Sequence, residues 1–266
     1  GGSALQTEGV ARQSDPLLPR SGIAGFLCVI ATAAEDKGLL MRACAFILAL
    51  SLAACTHAPD ATDASGFVDA RALIPDLAIE MRYAGQENFI GRPIAGYEDS
   101  ICLITRQAAI ALARVQTQLA ASGLGLKVFD CYRPARAVAD FAAWARDPQD
   151  QARKTDYYPN VDKSQLFALG YIAERSGHSR GSTLDVTLVD LTTRAEIDMG
   201  SAYDLFDTRS WPTDQTVSPA QRANRLMLQS VMTANGFRPL AEEWWHFTLN
   251  DEPFPETYFD FPVARR

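Results

Sequence analysis

Apolar residues recur along this chain at spacings that separate helices from strands. Over residues 106–122 they return every three or four positions, and Gly123 follows as a stop, which predicts an amphipathic helix. Ser218 and Gln221 form a capping box around a proline at the first helical position. Helices are therefore predicted over residues 106–122, 135–145 and 218–235.

Alternating apolar and polar residues predict strands between these helices. In residues 183–191, Leu184, Val186 and Leu188 share one face, so Asp185 lies on the other face, where a site can use it. Polar stretches rich in glycine and proline predict long loops over residues 85–100 and 199–217. Further strands are predicted over residues 77–83, 126–132 and 237–249. This order predicts an α+β fold, a single domain with a central, mostly antiparallel sheet flanked by helices.

Composition narrows the class of partner. The chain has 266 residues, of which 47% are hydrophobic, and this length can bury one ample core. The net charge is −7, and no run is rich in lysine or arginine, so we expect no nucleic-acid partner. This balance of hydrophobic and charged residues is typical of a globular enzyme and does not identify a substrate.

The amino-terminal part has the pattern of a targeting segment. Met41 and a basic residue precede a short apolar run over residues 43–54, and the run ends in Leu-Ala-Ala-Cys at Cys55. This resembles the lipobox of a bacterial lipoprotein, where the chain is cut before the cysteine and the thiol is acylated. A buried helix is the alternative. We expect a lipid-anchored, periplasmic protein of the cell envelope, with residues 1–40 upstream of the native start, 41–54 a signal peptide, 55–66 a tether and 67–266 the enzymatic domain.

Two cysteines remain in the domain. An exported protein can oxidise Cys102 and Cys131 to a disulfide. Two buried free thiols, acting as small apolar side chains, are the alternative. The sequence leaves both open.

The histidines point to a metal site. The chain has three, and His57 lies in the predicted leader, which leaves His178 and His246. A catalytic zinc needs three nitrogen or oxygen ligands and an open position, so the third ligand is not a histidine. Asp185 follows His178 by seven residues in a segment where glycines permit tight backbone geometry. The alternative is a core histidine beside an exposed aspartate.

Glu243 lies three residues before His246, and periodicity does not bring the two together. In a regular strand such residues face opposite sides, so they share a site only where the strand bends, bulges or ends. Glu243 as a fourth ligand would close the open position, which favours a role as proton acceptor. For at least one of Trp244 and Trp245 we favour plain core packing.

Arg133 follows a predicted strand, next to a proline. A fixed guanidinium suits a carbonyl oxygen that gains negative charge, or a substrate carboxylate. The alternative is a surface ion pair with Asp130.

Three segments together resemble a known family. They are Ser-Gly-His-Ser-Arg-Gly-Ser-Thr-Leu-Asp (176–185), Glu-Trp-Trp-His-Phe (243–247) and Asp-Cys-Tyr-Arg-Pro (130–134). They resemble the zinc D-alanyl-D-alanine dipeptidases, a family that includes the vancomycin-resistance dipeptidase and is related to zinc D,D-carboxypeptidases and to the Hedgehog fold. The resemblance covers roughly residues 67–250 and implies a Hedgehog/D,D-peptidase-like fold.

By position, the resemblance implies one Zn2+ ion per chain, bound by His178, Asp185 and His246. Glu243 would act as general base and acid on a zinc-bound water, and Arg133 would stabilise the tetrahedral intermediate. The implied reaction is hydrolysis of the dipeptide D-Ala-D-Ala.

The resemblance also implies a substrate pocket. Asp204 matches the position that holds the substrate ammonium, and Tyr83 and Ser176 match further pocket positions. Trp211 lies where the family has a histidine-containing loop, a departure that affects substrate breadth. Two alternatives stay open, a zinc D,D-carboxypeptidase acting on longer peptidoglycan peptides and a non-catalytic lipoprotein that binds peptidoglycan fragments.

Overall fold

Strands in two sheets organise the computed structural model, which describes residues 60–265 of the chain. These residues belong to one compact unit. In chain order the strands are β1 (Phe67–Asp69), β2 (Ala78–Ile79), β3 (Leu103–Thr105), β4 (Leu124–Asp130), β5 (Thr183–Asp190), β6 (Phe237–Pro239) and β7 (His246–Leu249).

Four α-helices accompany the strands in the described part of the chain. They are α1 (Arg106–Ala120), α2 (Ala135–Arg146), α3 (Lys154–Tyr157) and α4 (Pro219–Ala234). The predicted capping box of α4 is present, because Ser218 accepts from the backbone N–H of Gln221 and Gln221 accepts from that of Ser218. The three longer predicted helices are thus confirmed, each with ends within two residues of the prediction.

The central sheet has five strands in the order β2-β4-β5-β7-β6, and β1 pairs with β3 in a separate small sheet. The β4–β5, β5–β7 and β6–β7 pairs are antiparallel, whereas β2 runs parallel to β4. The predicted α+β fold with a mostly antiparallel sheet is confirmed. Its central strand, β5, is the strand for which sequence alternation placed Asp185 opposite the apolar set.

The interior lies on both faces of β5. Leu184, Val186 and Leu188 are completely buried, as predicted, and Asp185 on the other face is only 2% exposed. A carboxylate this deep needs ionic or hydrogen-bonding partners, because transfer of an unpaired charge from water is very unfavourable. The fold therefore predisposes Asp185 to a special role.

Two predicted strands are shorter than expected. Residues 237–249 form a hairpin of β6 and β7 and not a single strand, because Pro239 lacks a backbone donor and ends β6. Residues 77–83 form only the two-residue β2, and a 3-10 turn at Arg82–Ala84 carries Tyr83 away from the sheet. Both corrections move candidate site residues from strands onto turns.

Cys102 and Cys131 form a disulfide, with their Cα atoms 5.4 Å apart. It joins the residue before β3 to the residue after β4. Of the two alternatives that the sequence left open, the structure contains the disulfide.

The predicted leader, including residues 1–40, the signal peptide over 41–54 and the lipidated Cys55, lies outside the described residues. Residues 60–66, the end of the predicted tether, lie against the domain, because Ala64 is buried and the backbone N–H of Asp260 donates to Ala61. No helix within residues 60–265 combines the length and apolar character that a membrane crossing requires.

Candidate metal centre

Two neighbouring strands and one turn bring the metal-ligand candidates together. Asp185 in β5 is paired directly with His246, the first residue of β7, so their side chains leave the same face of the sheet. His178 lies on a 3-10 turn, Gly177–Arg180, that precedes β5. Gly181 ends this turn at φ 79°, a conformation that favours glycine, and a Cβ there would fall on the ring of Phe67.

The donor atoms of these residues form a compact triangle. His178 Nε2 is 3.3 Å from Asp185 Oδ1 and 3.3 Å from His246 Nδ1, and His246 Nδ1 is 3.2 Å from Asp185 Oδ1. Ligands at the usual zinc distances in a tetrahedron lie about 3.3 Å apart. Asp185 Oδ1 is buried and has no hydrogen-bond partner among the described residues. These residues therefore fit a zinc ion.

A fixed imidazole orientation supports this interpretation. His178 Nδ1 lies 2.7 Å from the carbonyl oxygen of Cys131, and Asp130 Oδ2 is 3.5 Å from the same nitrogen. A proton on Nδ1 donated to the carbonyl leaves Nε2 free to bind a metal, which is how protein partners usually orient a ligating histidine. The disulfide-bonded Cys131 is thus linked to the metal centre by a single hydrogen bond, between its carbonyl oxygen and His178.

Glu243 lies on the turn that precedes β7, which removes the periodicity problem. Because β7 starts only at His246, the two side chains can approach, and Glu243 Oε2 is 3.3 Å from His246 Nδ1. The Glu243 side chain is 25% exposed, so water can reach it. Trp244 and Trp245 are both buried, which confirms core packing, although Trp245 also lines the site.

The carboxylates around His246 favour its protonated form when no metal is bound. Burial opposes its charged form, but the carboxylates of Asp185 and Glu243, each within 3.3 Å of Nδ1, prevail and raise the pKa of His246 to about 9. Asp185 responds in the opposite sense, since burial is outweighed by His178 and His246 and its pKa falls well below the usual range. A zinc ion would replace this proton, because metal binding to histidine requires the neutral ring.

Arg133 is immobilised at the edge of the centre. Its Nε and Nη2 atoms each lie 2.9 Å from Asp130 Oδ2, and its guanidinium lies 5.0 Å from the ring centres of both Tyr83 and Phe141. Asp130 is fully buried, so the expected alternative of a surface ion pair is wrong, and the pair belongs to the interior. Burial alone would lower the pKa of Arg133, but the charge of Asp130 raises it well above the usual value, so Arg133 remains a cation.

Asp204 lies opposite, on the long loop after β5. Its φ of 59° is in the left-handed region, an uncommon conformation that aspartate tolerates. Tyr83 donates to its carboxylate at 2.9 Å. Burial, with the nearby charge of Asp185, raises the pKa of Asp204 well above its usual value, against the opposing effects of Tyr83 and Arg133. A cationic ligand group would restore the charged form.

Ser176 begins the turn that carries His178, and its hydroxyl accepts from the backbone N–H of His178 at 3.3 Å. Every predicted site residue lines one cavity of about 270 Å³, close to the lower limit of roughly 300 Å³ for drug-sized ligand sites. The predicted residues in its lining are Tyr83, Arg133, Ser176, His178, Asp185, Asp204, Glu243 and His246.

Sequence reasoning did not identify two groups that hold these residues in place. Asp130 orients both Arg133 and His178, and Tyr203 donates to Asp185 at 3.0 Å. Asp130 stands in one of the three motif segments, where the sequence indicates only an ion pair with Arg133. Tyr203 has no comparable signal apart from its place beside Asp204.

Two imidazoles, a buried carboxylate and a spare carboxylate around a small cavity define the class of metal-dependent hydrolases. A family model described as D-ala-D-ala dipeptidase matches residues 63–264. The chain belongs to this family of zinc peptidases.

Curated relatives agree over most of their length. The chain is similar to a D-alanyl-D-alanine dipeptidase of Enterococcus faecalis, with 41% identity over 75% of this chain and 99% of the relative. A protein of the same name from Streptomyces coelicolor is 44% identical over 74% of this chain and 97% of its own. Another from Escherichia coli is 36% identical over 71% of this chain and 86% of its own.

Proposed function

We propose that this protein hydrolyses the dipeptide D-Ala-D-Ala with a zinc ion held by His178, Asp185 and His246. The observation that carries the proposal is the single small cavity in which these three residues meet Glu243 and Asp204. The names of the relatives, all D-alanyl-D-alanine dipeptidases, supply the substrate.

The amino group of the dipeptide is proposed to bind Asp204. The carboxylate of Asp204 lines the cavity and accepts a hydrogen bond from Tyr83, and burial disfavours its ionised form until a cation binds beside it. A substrate ammonium meets that need. Because Asp204 is buried beside the metal centre, the residue that contributes the scissile carbonyl must itself carry a free amino group, which favours a dipeptide.

Arg133 is proposed to stabilise negative charge on the scissile carbonyl oxygen. Its pairing with Asp130 and its stacking on two rings fix the guanidinium before substrate arrives. Preorganised donors of this kind contribute about 10²–10³ in kcat.

Glu243 is proposed to move the proton. Its carboxylate accepts a proton from the attacking water and returns it to the nitrogen of the leaving D-alanine, so the same group acts as base and then as acid. Partial exposure allows water to reach it, and the three ligands leave it free of coordination. When bound, zinc supplies Lewis-acid chemistry that polarises a carbonyl and acidifies water.

A paired-substrate assay tests the substrate assignment. Purified, zinc-loaded protein receives D-Ala-D-Ala and, separately, a muropeptide pentapeptide that ends in D-Ala-D-Ala, and released D-alanine is measured. We expect turnover of the dipeptide and none of the pentapeptide, whose penultimate residue has no free amine for Asp204. Preferential release from the pentapeptide would indicate a D,D-carboxypeptidase, and no turnover of either by the loaded protein would indicate a binding function.

We further propose that the enzyme acts in the cell envelope, in the periplasm, anchored through lipid on Cys55. Two features support this: the Leu-Ala-Ala-Cys sequence and the Cys102–Cys131 disulfide, a bond typical of oxidising compartments. Labelling of cells with a palmitate analogue should mark the wild-type protein and not the Cys55→Ser variant. Equal labelling of both, or of neither, contradicts the anchor.

A further inference from the structure

The two carboxylate oxygens of Asp185 have different surroundings. Oδ1 faces the donor nitrogens of His178 and His246 at 3.3 and 3.2 Å, and it has no hydrogen-bond partner among residues 60–265. Oδ2 accepts from the hydroxyl of Tyr203 at 3.0 Å. One oxygen is therefore free for a metal while the other is held by the protein.

The Tyr203 ring is fixed on two sides. It stacks on Phe129 with ring centres 4.6 Å apart, and it meets Trp245 edge-on at 5.3 Å. The residue is only 6% exposed. A ring held this way places its hydroxyl at one position, so the contact with Asp185 has little rotational freedom.

Arg133 is the other group near Oδ2, but at a longer distance. Its Nη2 atom is 3.8 Å from Asp185 Oδ2 and 2.9 Å from Asp130 Oδ2, so Arg133 hydrogen-bonds to Asp130 and not to Asp185. Among the described residues, Tyr203 is thus the donor within hydrogen-bond distance of Asp185 Oδ2.

The same hydroxyl extends toward the amine site. Tyr203 Oη is 3.1 Å from the hydroxyl of Tyr83, which donates to Asp204. The two hydroxyls therefore lie side by side and serve different carboxylates, Tyr203 the proposed metal ligand Asp185 and Tyr83 the proposed ammonium site Asp204.

We propose that Tyr203 is a positioning residue that keeps Asp185 a one-oxygen metal ligand. The inference rests on the zinc site of the proposed function. A carboxylate with no partner on Oδ2 can turn and present both oxygens to the metal, which would fill the position that a hydrolytic zinc site keeps open. Groups that orient metal ligands typically contribute 10- to 100-fold in metal affinity or activity.

The test compares Tyr203→Phe with a matched control, Tyr158→Phe. Both changes remove one buried tyrosine hydroxyl, but that of Tyr158 has no hydrogen-bond partner among the described residues, and Tyr158 does not line the metal cavity. Zinc dissociation constants are measured by competition with a chelator. We expect about 10- to 100-fold weaker binding for Tyr203→Phe and a wild-type value for the control.

A spectroscopic readout separates positioning from plain packing. Cobalt(II) replaces zinc, and its visible absorption reports the coordination number. The spectrum of Tyr203→Phe should shift toward higher coordination, whereas wild type and Tyr158→Phe should share one spectrum. Wild-type zinc affinity together with an unaltered cobalt spectrum in Tyr203→Phe would overturn the proposal.

The phenylalanine variant keeps both ring contacts, and near-ultraviolet circular dichroism of the metal-free protein checks that it folds. If it does not fold, a crystal structure of the zinc-loaded wild type tests the same claim. One Asp185 oxygen on zinc and the other on Tyr203 is expected, and both oxygens on zinc would contradict it. If wild type neither binds zinc nor cleaves D-Ala-D-Ala, the proposed function fails. If wild type binds zinc and cleaves D-Ala-D-Ala, and Tyr203→Phe and Tyr158→Phe have the same zinc affinity and cobalt spectrum, only the proposed role of Tyr203 fails.

Discussion

Removal of the Cys102–Cys131 disulfide should destabilise the domain and loosen its metal centre together. The bond fixes the end of β4, and the carbonyl oxygen of Cys131 is the group that holds His178 Nδ1 at 2.7 Å. The perturbation is the double variant Cys102→Ala with Cys131→Ala, or reduction of the wild type.

The size of the effect follows from the loop that the bond closes. The two cysteines are 29 residues apart in sequence. Closing a loop of about 30 residues in the unfolded chain removes entropy equivalent to about 3.6 kcal/mol at 25 °C. For a domain of roughly 200 residues, that loss lowers Tm by about 7–14 °C.

Thermal unfolding of the metal-free protein measures this directly, since bound metal would add its own stabilisation. Wild type is compared with and without reductant, and the double alanine variant serves as the control that reductant should not affect. A fall in Tm of less than about 2 °C, or alkylation of Cys102 and Cys131 in unreduced, denatured wild type, would refute the reasoning. A weaker zinc affinity of the variant should accompany the loss of stability.

Three further changes test other parts of the site. Asp204→Asn should abolish dipeptide turnover yet stabilise the metal-free protein. Burial and the charge of Asp185 raise the pKa of Asp204, so the stability that its protonated form contributes is complete below pH 3.8 and is lost as the pH rises. The gain in Tm of the variant over wild type should therefore grow from pH 4 to pH 7. A Tm gain that becomes smaller from pH 4 to pH 7 would contradict the raised pKa of Asp204. Arg225→Met should lower the free energy of unfolding by about 3 kcal/mol in a denaturant titration and lower kcat/KM. The reason is that the buried guanidinium donates to the carbonyls of Met199, Arg209 and Trp211 on the loop that carries Asp204. An unchanged denaturation midpoint would show that Arg225 does not stabilise this loop. Arg133→Lys should reduce kcat about 100-fold with zinc content unchanged, since lysine keeps the charge and loses the fork; undiminished kcat contradicts the role of Arg133.

Much of the metal centre was predictable because its residues stand in short segments with strong local signals. Alternation in β5 placed Asp185 on the face opposite the apolar set, and the small number of histidines drew attention to His178 and His246. The register that pairs Asp185 with His246 was not predictable, because it depends on which strands become neighbours.

The placement of Glu243 could not be derived from periodicity. The sequence around Trp244 and Trp245 has strand composition, yet these residues form the turn before β7. Tertiary packing of the two tryptophans decides the local conformation, and propensity does not.

The groups that hold the site residues and their loop in place were not predicted, for a related reason. Tyr203 meets Asp185 across a separation of 18 residues, and Arg225 meets Met199 across 26. Such contacts leave no period or spacing in a single sequence. Asp130 was visible in a motif, but the burial that makes it an orienting group appears only in the folded chain.

The central claim is that an acid beside the zinc, and not bound to it, performs the proton transfer. The most direct measurement is zinc content and D-Ala-D-Ala turnover of Glu243→Gln beside the wild type, in the same preparation buffer. The account predicts one zinc per chain in both proteins and turnover reduced by about two to four orders of magnitude in the variant. Loss of zinc from the variant, or turnover near that of wild type with zinc retained, would contradict it.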